Sequence, residues 1–266
     1  MRKDWTFLTF VNSSYYIPGL IGLWNSLVKS HKDEHINFAV MTTDEEEGLS
    51  EKIKKIFIGI DTFRLIKCEP LPAPKCKQAM DYWSACITTL KIFGLTEYSK
   101  IVYLDADMMV LDDIFDLFSK PHMSGVASSS VIHPDCNDVI FGPLVIEPSK
   151  ETEERLIEIY LNMDITLADQ EVIRICYPHW KEETKLHLPI LYGVYYWHLP
   201  RLITNYNYIK EDFKIIHFTG KEKPWSFKLR KILSIIKTYL IGKKHFFWCL
   251  WVLFHYRKIC KKIVKK

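Results

Sequence analysis

The sequence lacks the cysteine patterns, leader segment and long apolar runs that mark several common protein classes. Its seven cysteines include no C-x-x-C pair and are odd in number, which argues against a zinc ribbon or a disulfide framework and indicates a reducing, cytoplasmic compartment. The apolar run at 5–11 is too short for a signal peptide and is typical of a first strand. The apolar run at 246–254 has nine residues, well below the roughly 20 that a spanning helix needs.

Extreme charge is also missing. The net charge of +4 suits nucleotide or anionic-surface partners and does not call for nucleic acid. The chain is 48% hydrophobic and 14% aromatic, which is ample for a packed core and argues against disorder. Its 266 residues are enough for one large α/β domain or two small ones.

Strand-like and helix-like patterns alternate along the first part of the chain. This order predicts an α/β fold, with a mostly parallel sheet flanked by helices on both faces. Ligands of such sheets bind at the carboxyl ends of strands, and Asn12 and the aspartates of the run at 101–111 fall at such ends. The predicted strands are 5–11, 37–42, 62–66, 125–130, 141–148 and 214–220, the predicted helices are 15–29, 44–58, 85–95 and those starting at 149 and 168, and 186–192 is predicted to be extended.

The apolar run at 101–111 contains two carboxylates one residue apart, Asp105 and Asp107. Its composition predicts a strand buried on both faces, in which residues two apart point to the same side. Burying a carboxylate costs several kcal/mol unless it is paired or binds a cation. We therefore predict a divalent cation site, with Mg²⁺ or Mn²⁺ as the hard ions that suit oxygen ligands. The alternative is that Asp105 caps a following helix and Asp107 lies in a turn.

A second segment, 217–225, groups a histidine, a glycine and a lysine after an apolar strand. Gly220 allows close backbone approach to an anion, and Lys223 can meet a phosphate as a point charge. The grouping favours a diphosphate site with His217 as the third metal ligand. The alternative is that His217 is a half-buried histidine with its hydrogen bonds satisfied.

Two further segments supply candidate binding groups. At the end of the first strand, the backbone around Thr9 and Val11 together with Asn12 can meet the edge of a nucleobase, and Tyr15 can stack on its ring. A core position is the alternative for Tyr15. Asp169 precedes a predicted helix, where an N-cap is the alternative role.

The segments 98–107, 112–118 and 217–225 resemble the glycogenin-like family 8 glycosyltransferases. The last of them follows the pattern H-F-x-G-x-x-K-P-W, and the resemblance extends from about residue 5 to about residue 225. It implies the GT-A fold, a Rossmann-like nucleotide-diphospho-sugar transferase architecture. It also implies a retaining enzyme that uses a UDP-sugar donor and Mn²⁺, with Mg²⁺ as the alternative ion.

The resemblance also assigns roles to individual residues. Asp169 would hold sugar hydroxyls and Gln170 would lie near the anomeric carbon, where the acceptor hydroxyl attacks from the front face. The implied metal ligands are Asp105, Asp107 and His217, and the implied donor-binding residues are Thr9, Val11, Asn12, Tyr15, Asp105, Ala106, Asp107, Gly220 and Lys223.

The chain departs from the family pattern at several sugar-facing positions. Thr89 stands where the family has a lysine, with Lys91 displaced by two, and Ile140 replaces an asparagine. An aspartate expected after the D-x-D segment falls within 128–130, which is all serine. These changes predict a sugar other than glucose, or weakened activity. A self-glucosylated tyrosine has three candidates with ambiguous alignment, Tyr192, Tyr195 and Tyr196.

The C-terminal segment differs in composition from the rest. We predict a GT-A domain at 1–225 and a basic, aromatic helical extension at 226–266. Aromatic residues flanked by lysine and arginine are typical of a helix lying in a membrane interface, which predicts peripheral contact through 229–266 at the cytoplasmic face of a membrane. The alternatives are a helix packed on the domain and a homodimer contact.

The sequence thus predicts a metal-dependent hexosyltransferase acting on a glycan, protein, lipid or polyol hydroxyl. The alternative from another class is a catalytically silent protein of the same fold that binds nucleotide sugars or acts as a membrane scaffold. A metal-dependent phosphohydrolase is disfavoured, because it needs more carboxylates and histidines around the metal than the sequence offers.

Overall fold

A mixed, mostly parallel sheet of seven strands forms the centre of the molecule. The computed structural model describes residues 2, 4–31, 35–43, 45–72, 85–127, 132, 138–163, 168–240 and 246–264. Its strands are β1 (Trp5–Phe10), β2 (Phe38–Thr42), β3 (Phe63–Lys67), β4 (Lys100–Tyr103), β5 (Met108–Val110), β6 (Gly125–Ala127), β7 (Val139–Ile146), β8 (His187–Leu188), β9 (Val194–Tyr195) and β10 (Ile215–His217). The main sheet has the order β3-β2-β1-β4-β7-β6-β8, in which β7 runs antiparallel to both neighbours, and β5-β10-β9 form a second sheet.

Helices cover both faces of the main sheet. The α-helices are α1 (Ile17–Ser30), α2 (Leu49–Ile56), α3 (Lys150–Asn162), α4 (Asp169–Cys176), α5 (Leu199–Asn205), α6 (Leu229–Leu240) and α7 (Phe246–Ile259). Short 3₁₀ turns connect them, among them Ser14–Tyr16, Ala85–Gly94 and Pro224–Ser226. The predicted α/β architecture is therefore confirmed.

The alternation of side chains along the strands explains the layers. Successive residues of a strand point to opposite faces, and Phe7 and Leu8 of β1 enter two different hydrophobic clusters. The cluster around Phe7 contains residues of α1 and α2, whereas the cluster around Leu8 contains residues of α3 and α4. A third cluster joins the second sheet to α5, α6 and α7.

The predicted continuous strand at 101–111 is wrong. The chain leaves the main sheet after Tyr103, turns at 106–107, and enters the second sheet as β5. The Met108 amide donates to the Asp105 carbonyl across this turn at 3.0 Å. Asp107 stays buried in this turn, so its carboxylate still needs a partner. The alternative that placed Asp107 in a turn is confirmed, whereas Asp105 caps no helix.

Several predicted boundaries shift for local reasons. The helix predicted at 15–29 begins only at Ile17, after a 3₁₀ turn, with Pro18 in its first turn where its missing N–H is harmless. Ser149 caps α3 as predicted, because its side chain accepts a hydrogen bond from the Thr152 amide at 3.1 Å. The predicted helix at 85–95 is a run of 3₁₀ turns, and 186–192 is extended only in part. Residue 44, where α2 was predicted to start, and 128–130 of a predicted strand lie outside the described residues.

The C-terminal helix α7 packs against the domain with one face. Cys249, Val252 and Tyr256 are buried there. The helix packs closely on α1, because a Cβ on Gly22 of α1 would lie 2.7 Å from the Sγ atom of Cys260, the residue after α7. The described part of the chain contains no helix long and apolar enough to cross a membrane.

Candidate metal centre

The turn after β4 and the end of β10 bring two carboxylates and an imidazole together. Antiparallel pairing aligns His217 with Met108, one residue beyond Asp107. The Nε2 atom of His217 lies 3.4 Å from Oδ2 of Asp105 and 3.1 Å from Oδ1 of Asp107. One ligand atom from each of the three residues lies within 4.8 Å of the others. Two carboxylate oxygens and an imidazole nitrogen form a donor set that fits Mn²⁺ or Mg²⁺, as the sequence predicted.

Neighbouring groups fix the orientation of Asp105. The Tyr103 hydroxyl donates to Oδ1 of Asp105 at 2.8 Å. On the other side, a Cβ on Gly142 would lie 2.8 Å from Oδ2 of Asp105. Gly142 also has a φ of 102°, which is unfavourable for other residues. Glycine at this position therefore gives the carboxylate the space it occupies.

Lys223 is buried beside the same cluster. Its Nζ atom donates to Oδ2 of Asp107 at 2.5 Å and to the carbonyl of Phe218 at 3.3 Å. The bend that carries the chain from His217 to Lys223 contains Gly220 at a φ of 107°. A Cβ at Gly220 would meet no atom within 4 Å, so the backbone conformation rather than space favours glycine here.

Burial and charge act in opposite directions on the ionisable groups. Burial raises the pKa of Asp105 to about 7 despite the neighbouring imidazole. Burial also disfavours ionisation of Asp107, but His217 and Lys223 outweigh it and hold the pKa of Asp107 below its usual range. Burial would lower the pKa of His217, yet Asp107 and Asp105 raise it. An ionised carboxylate beside a second one that resists ionisation fits a site that a cation completes.

A cleft of about 660 Å³ opens over Asp105, Asp107 and His217. Most of the site residues predicted from the sequence line it, namely Asn12, Asp105, Ala106, Asp107, Asp169, Gln170, His217, Gly220 and Lys223. Thr9, Val11 and Tyr15 do not. Thr9 and Val11 are buried at the end of β1, and Val11 belongs to a core cluster.

Tyr16 lines the cleft at the place where Tyr15 was expected. The 3₁₀ turn directs the Tyr15 hydroxyl to Ser226, 2.9 Å away, and this hydroxyl also accepts a hydrogen bond from the Lys223 amide at 3.2 Å. In this arrangement Tyr15 holds the segment that carries Lys223 rather than facing the cleft. Whether Tyr15 contacts a bound base stays a prediction.

Asp169 and Gln170 open α4 at the far wall of the cleft. Ala168 occupies the N-cap position, so the alternative N-cap role of Asp169 is wrong. Its carboxylate accepts hydrogen bonds from the Thr89 hydroxyl at 2.7 Å and from the Gln170 amide at 2.9 Å. Burial raises the pKa of Asp169 to about 6, although both hydrogen bonds favour ionisation. Thr89, which replaces the expected lysine, thus anchors the carboxylate.

Some residues of the cleft were missed by the sequence analysis. Tyr103 had a usable signal, because residues two apart on a strand share a side and Tyr103 precedes Asp105 by two. Cys86 and Arg174 had no such signal, since segments distant in sequence bring them to the cleft. Ile140 lines the cleft as the family resemblance implied, whereas Lys91 is not among the described residues that line it.

The fold matches that of solved glycosyltransferases. The crystal structure of an active-site mutant of LgtC aligns with a TM-score of 0.65 at 14% identity, covering 98% of this chain and 97% of that one. The apo form of the glycosyltransferase GlyE from Streptococcus pneumoniae TIGR4 aligns with a TM-score of 0.59 at 18% identity, covering 98% of this chain and 65% of that one. The chain therefore has the GT-A fold, which confirms the predicted fold class.

Sequence comparison identifies the family. The model of "Glycosyl transferase family 8" matches residues 7–228, so the chain belongs to this family of glycosyltransferases. Glycogenin-1 of Oryctolagus cuniculus is 26% identical over 227 residues, which are 84% of this chain and 66% of that protein. Glycogenin-1 of Homo sapiens is 25% identical over 84% of this chain and 63% of its own length. The chain thus spans slightly less than two thirds of these glycogenins, and the predicted resemblance to a glycogenin-like family is confirmed.

Proposed function

We propose that the protein is a retaining glycosyltransferase that moves a hexose or related sugar from a UDP-sugar to an acceptor hydroxyl. The observation that carries the proposal is the cluster of Asp105, Asp107 and His217 beside the buried Lys223, in a cleft of about 660 Å³. A divalent cation, Mn²⁺ or Mg²⁺, would be held by the first three residues. When bound, it would neutralise the negative charge of the diphosphate.

Four polar residues of the cleft have a role in this proposal. Lys223 is already buried and oriented by Asp107, so it meets the departing diphosphate without reorganisation. Asn12 lies at the end of β1 and offers an amide to the base. Asp169 accepts hydrogen bonds from sugar hydroxyls, and Gln170, whose side-chain amide donates to the Val139 carbonyl at 3.2 Å, lies at the reacting carbon.

The residues of the cleft indicate the identity of the sugar and of the acceptor less closely than they indicate a diphosphate. Ile140 places an apolar side chain in the cleft, where it offers no hydrogen bond to a sugar hydroxyl. This favours a sugar other than glucose. The acceptor is a glycan, protein, lipid or polyol. A catalytically silent nucleotide-sugar-binding protein is the alternative that the same observation favours.

Calorimetry of UDP binding tests the proposal. We expect binding in Mn²⁺ that EDTA abolishes, because the diphosphate and the carboxylates repel each other without a cation. A panel of UDP-sugars then separates an enzyme from a silent binder, since a transferase slowly transfers the sugar to water and releases UDP. Binding without turnover of any sugar would favour the silent alternative, and no UDP binding in either condition would overturn both.

We further infer that α7 docks on an anionic membrane surface at the cytoplasmic face. Residues 226–266 contain twelve of the 36 lysines and arginines of the chain and none of its 32 acidic residues. On the face of α7 turned away from the domain, Phe247, Trp251 and Phe254 are 81%, 46% and 43% exposed. We call these three residues the aromatic stripe. Aromatic side chains beside dense positive charge suit the interface of anionic lipids.

Vesicle sedimentation measures this docking. We expect binding to phosphatidylcholine vesicles that contain phosphatidylserine, weakening as salt rises, and little binding to phosphatidylcholine alone. Replacing the aromatic stripe with serines should weaken binding by about tenfold or more, given about 25 cal/mol for each Å² of apolar surface. Leu161→Ser, at a position 45% exposed on α3, is the control.

Two outcomes would contradict membrane docking. One is equal binding by the native chain and the stripe variant. The other is that replacing the stripe lowers the molecular mass of the assembly in solution and leaves vesicle binding unchanged. That result would favour the homodimer alternative.

A further inference from the structure

We infer that Tyr256 and Arg257, neighbours on α7, are positioning residues for the donor site. The inference rests on the proposed transferase function but concerns residues outside every segment that carries a candidate ligand. Both side chains contact the two loops that carry the candidate metal centre and Lys223. These are the loop of the two aspartates, at 104–107, and the segment after His217, at 218–227. The outer face of the same helix carries the aromatic stripe, so the inner face described here is a separate feature.

Tyr256 supports the loop of the two aspartates. Its buried ring stacks on Phe218, the residue after His217, with the ring centroids 4.1 Å apart and the planes 4° from parallel. Its hydroxyl donates to the carbonyl of Ala106, which lies between the aspartates, at 3.4 Å. Burial raises the pKa of Tyr256 well above its usual value, so the hydroxyl keeps the proton that it donates. The Tyr256 side chain therefore contacts both the loop that carries the two aspartates and the segment that carries His217.

Arg257 supports the segment that follows. Its guanidinium donates to the carbonyl of Pro224 and, at 3.4 Å, to the carbonyl of Phe227. Pro224 directly follows Lys223, the lysine that pairs with Asp107. A guanidinium stays charged in proteins and has several fixed donors, so it can hold two carbonyls of one turn at once. The position of the Lys223 backbone thus depends on α7.

The two loops are clamped between α7 and α1. A Cβ on Gly19 of α1 would lie 2.6 Å from the carbonyl of Ala106 and 2.5 Å from the ring of Trp225. The loops therefore cannot shift towards α1, and Tyr256 and Arg257 restrain them on the α7 side. These two helices restrain the backbone of both loops, and the ion pair of Lys223 with Asp107 joins their side chains.

Two affinities test this assignment separately. Affinity for Mn²⁺ alone reports on the carboxylates and His217, whereas affinity for UDP in saturating Mn²⁺ also reports on Lys223. We expect Tyr256→Leu to weaken Mn²⁺ binding by about tenfold, the lower range for groups that orient metal ligands. We expect Arg257→Met to weaken UDP binding by about tenfold without a fall in Mn²⁺ affinity, because it removes no metal ligand, and we expect partial recovery in Arg257→Lys.

The control and the thermal midpoint separate positioning from general stability. Lys258→Met removes an exposed charge from the next position of α7 and should change neither affinity. If both affinities of Tyr256→Leu and Arg257→Met fall together, in proportion to a drop in the thermal midpoint, the residues are structural and the inference is overturned. Unchanged affinities in both variants would also overturn it while leaving the transferase function intact. Failure of the native chain to bind UDP would overturn both.

Discussion

Replacing Asp107 with asparagine is expected to abolish Mn²⁺-dependent UDP binding and to lower sugar transfer by at least about a hundredfold. The lower bound is the upper end of the loss of about 10- to 100-fold that is typical of residues that only orient metal ligands, and Asp107 is placed as a ligand itself. Its carboxylate contacts His217 through one oxygen and Lys223 through the other. The neutral amide therefore removes a metal ligand and the counter-charge of the lysine in one step.

The same substitution should destabilise the fold. Lys223 is 6% exposed, and removing one partner of a buried ion pair typically costs about 3–5 kcal/mol, because the other charge is left uncompensated. We expect the midpoint of chemical denaturation to fall accordingly, as measured by circular dichroism.

A double variant separates the two effects. Adding Lys223→Met to Asp107→Asn removes the unpaired charge, so most of the stability should return while UDP binding stays absent. Return of UDP binding in the double variant would contradict a ligand role for Asp107. Full metal-dependent binding by Asp107→Asn alone would contradict the proposed metal centre.

The chemistry of the site was more predictable from the sequence than its backbone. Two neighbouring carboxylates in an apolar run need a cation whether the backbone continues as a strand or turns. Asp105 and Asp107 therefore indicated a candidate metal centre even though the predicted continuous strand was wrong. The turn itself had no clear signal, because the apolar residues on both sides are β-branched, aromatic or long and suit a strand. Gly220 and Lys223 line the cleft, and the sequence indicated them because a glycine and a lysine grouped after an apolar strand favour the binding of an anion.

Contacts between distant segments could not be predicted. The amphipathic pattern of the C-terminal segment indicates that one face is buried but not what it is buried against. Tyr256 meets Ala106 across 150 residues of sequence, and Thr89 meets Asp169 across 80. The exchange of Tyr15 for Tyr16 at the cleft has a local cause, since a 3₁₀ turn rotates side chains differently from an α-helix.

The Thr89–Asp169 contact leads to the second large expected effect, which is a gain of stability. Asp169 is 7% exposed, and its pKa of about 6 in the folded protein compares with a usual 3.8. The folded state therefore keeps the proton to a higher pH than the unfolded chain does. The contribution of Asp169 to stability is complete below about pH 4 and is lost as the pH rises through about 6.

Asp169→Asn should consequently stabilise the protein at neutral pH. The neutral amide avoids the cost of ionising a buried carboxylate, which a shift of this size places at up to about 3 kcal/mol. Denaturant titrations should show the gain at about pH 7.5 and its disappearance near pH 4. Asp61→Asn, at an exposed position, should show no such pH-dependent difference.

Sugar transfer should change in the opposite direction. An ionised carboxylate accepts stronger hydrogen bonds than an amide, and bonds to charged groups contribute about 1.5–3 kcal/mol, so Asp169→Asn should lower the transfer rate by about tenfold or more. Activity of the native chain should likewise fall as the pH drops below about 6, where Asp169 takes up its proton. A variant that is less stable at neutral pH, or one that keeps full activity, would show that Asp169 is a structural residue. A more stable and less active variant would show that Asp169 is retained for binding the sugar at the expense of the fold.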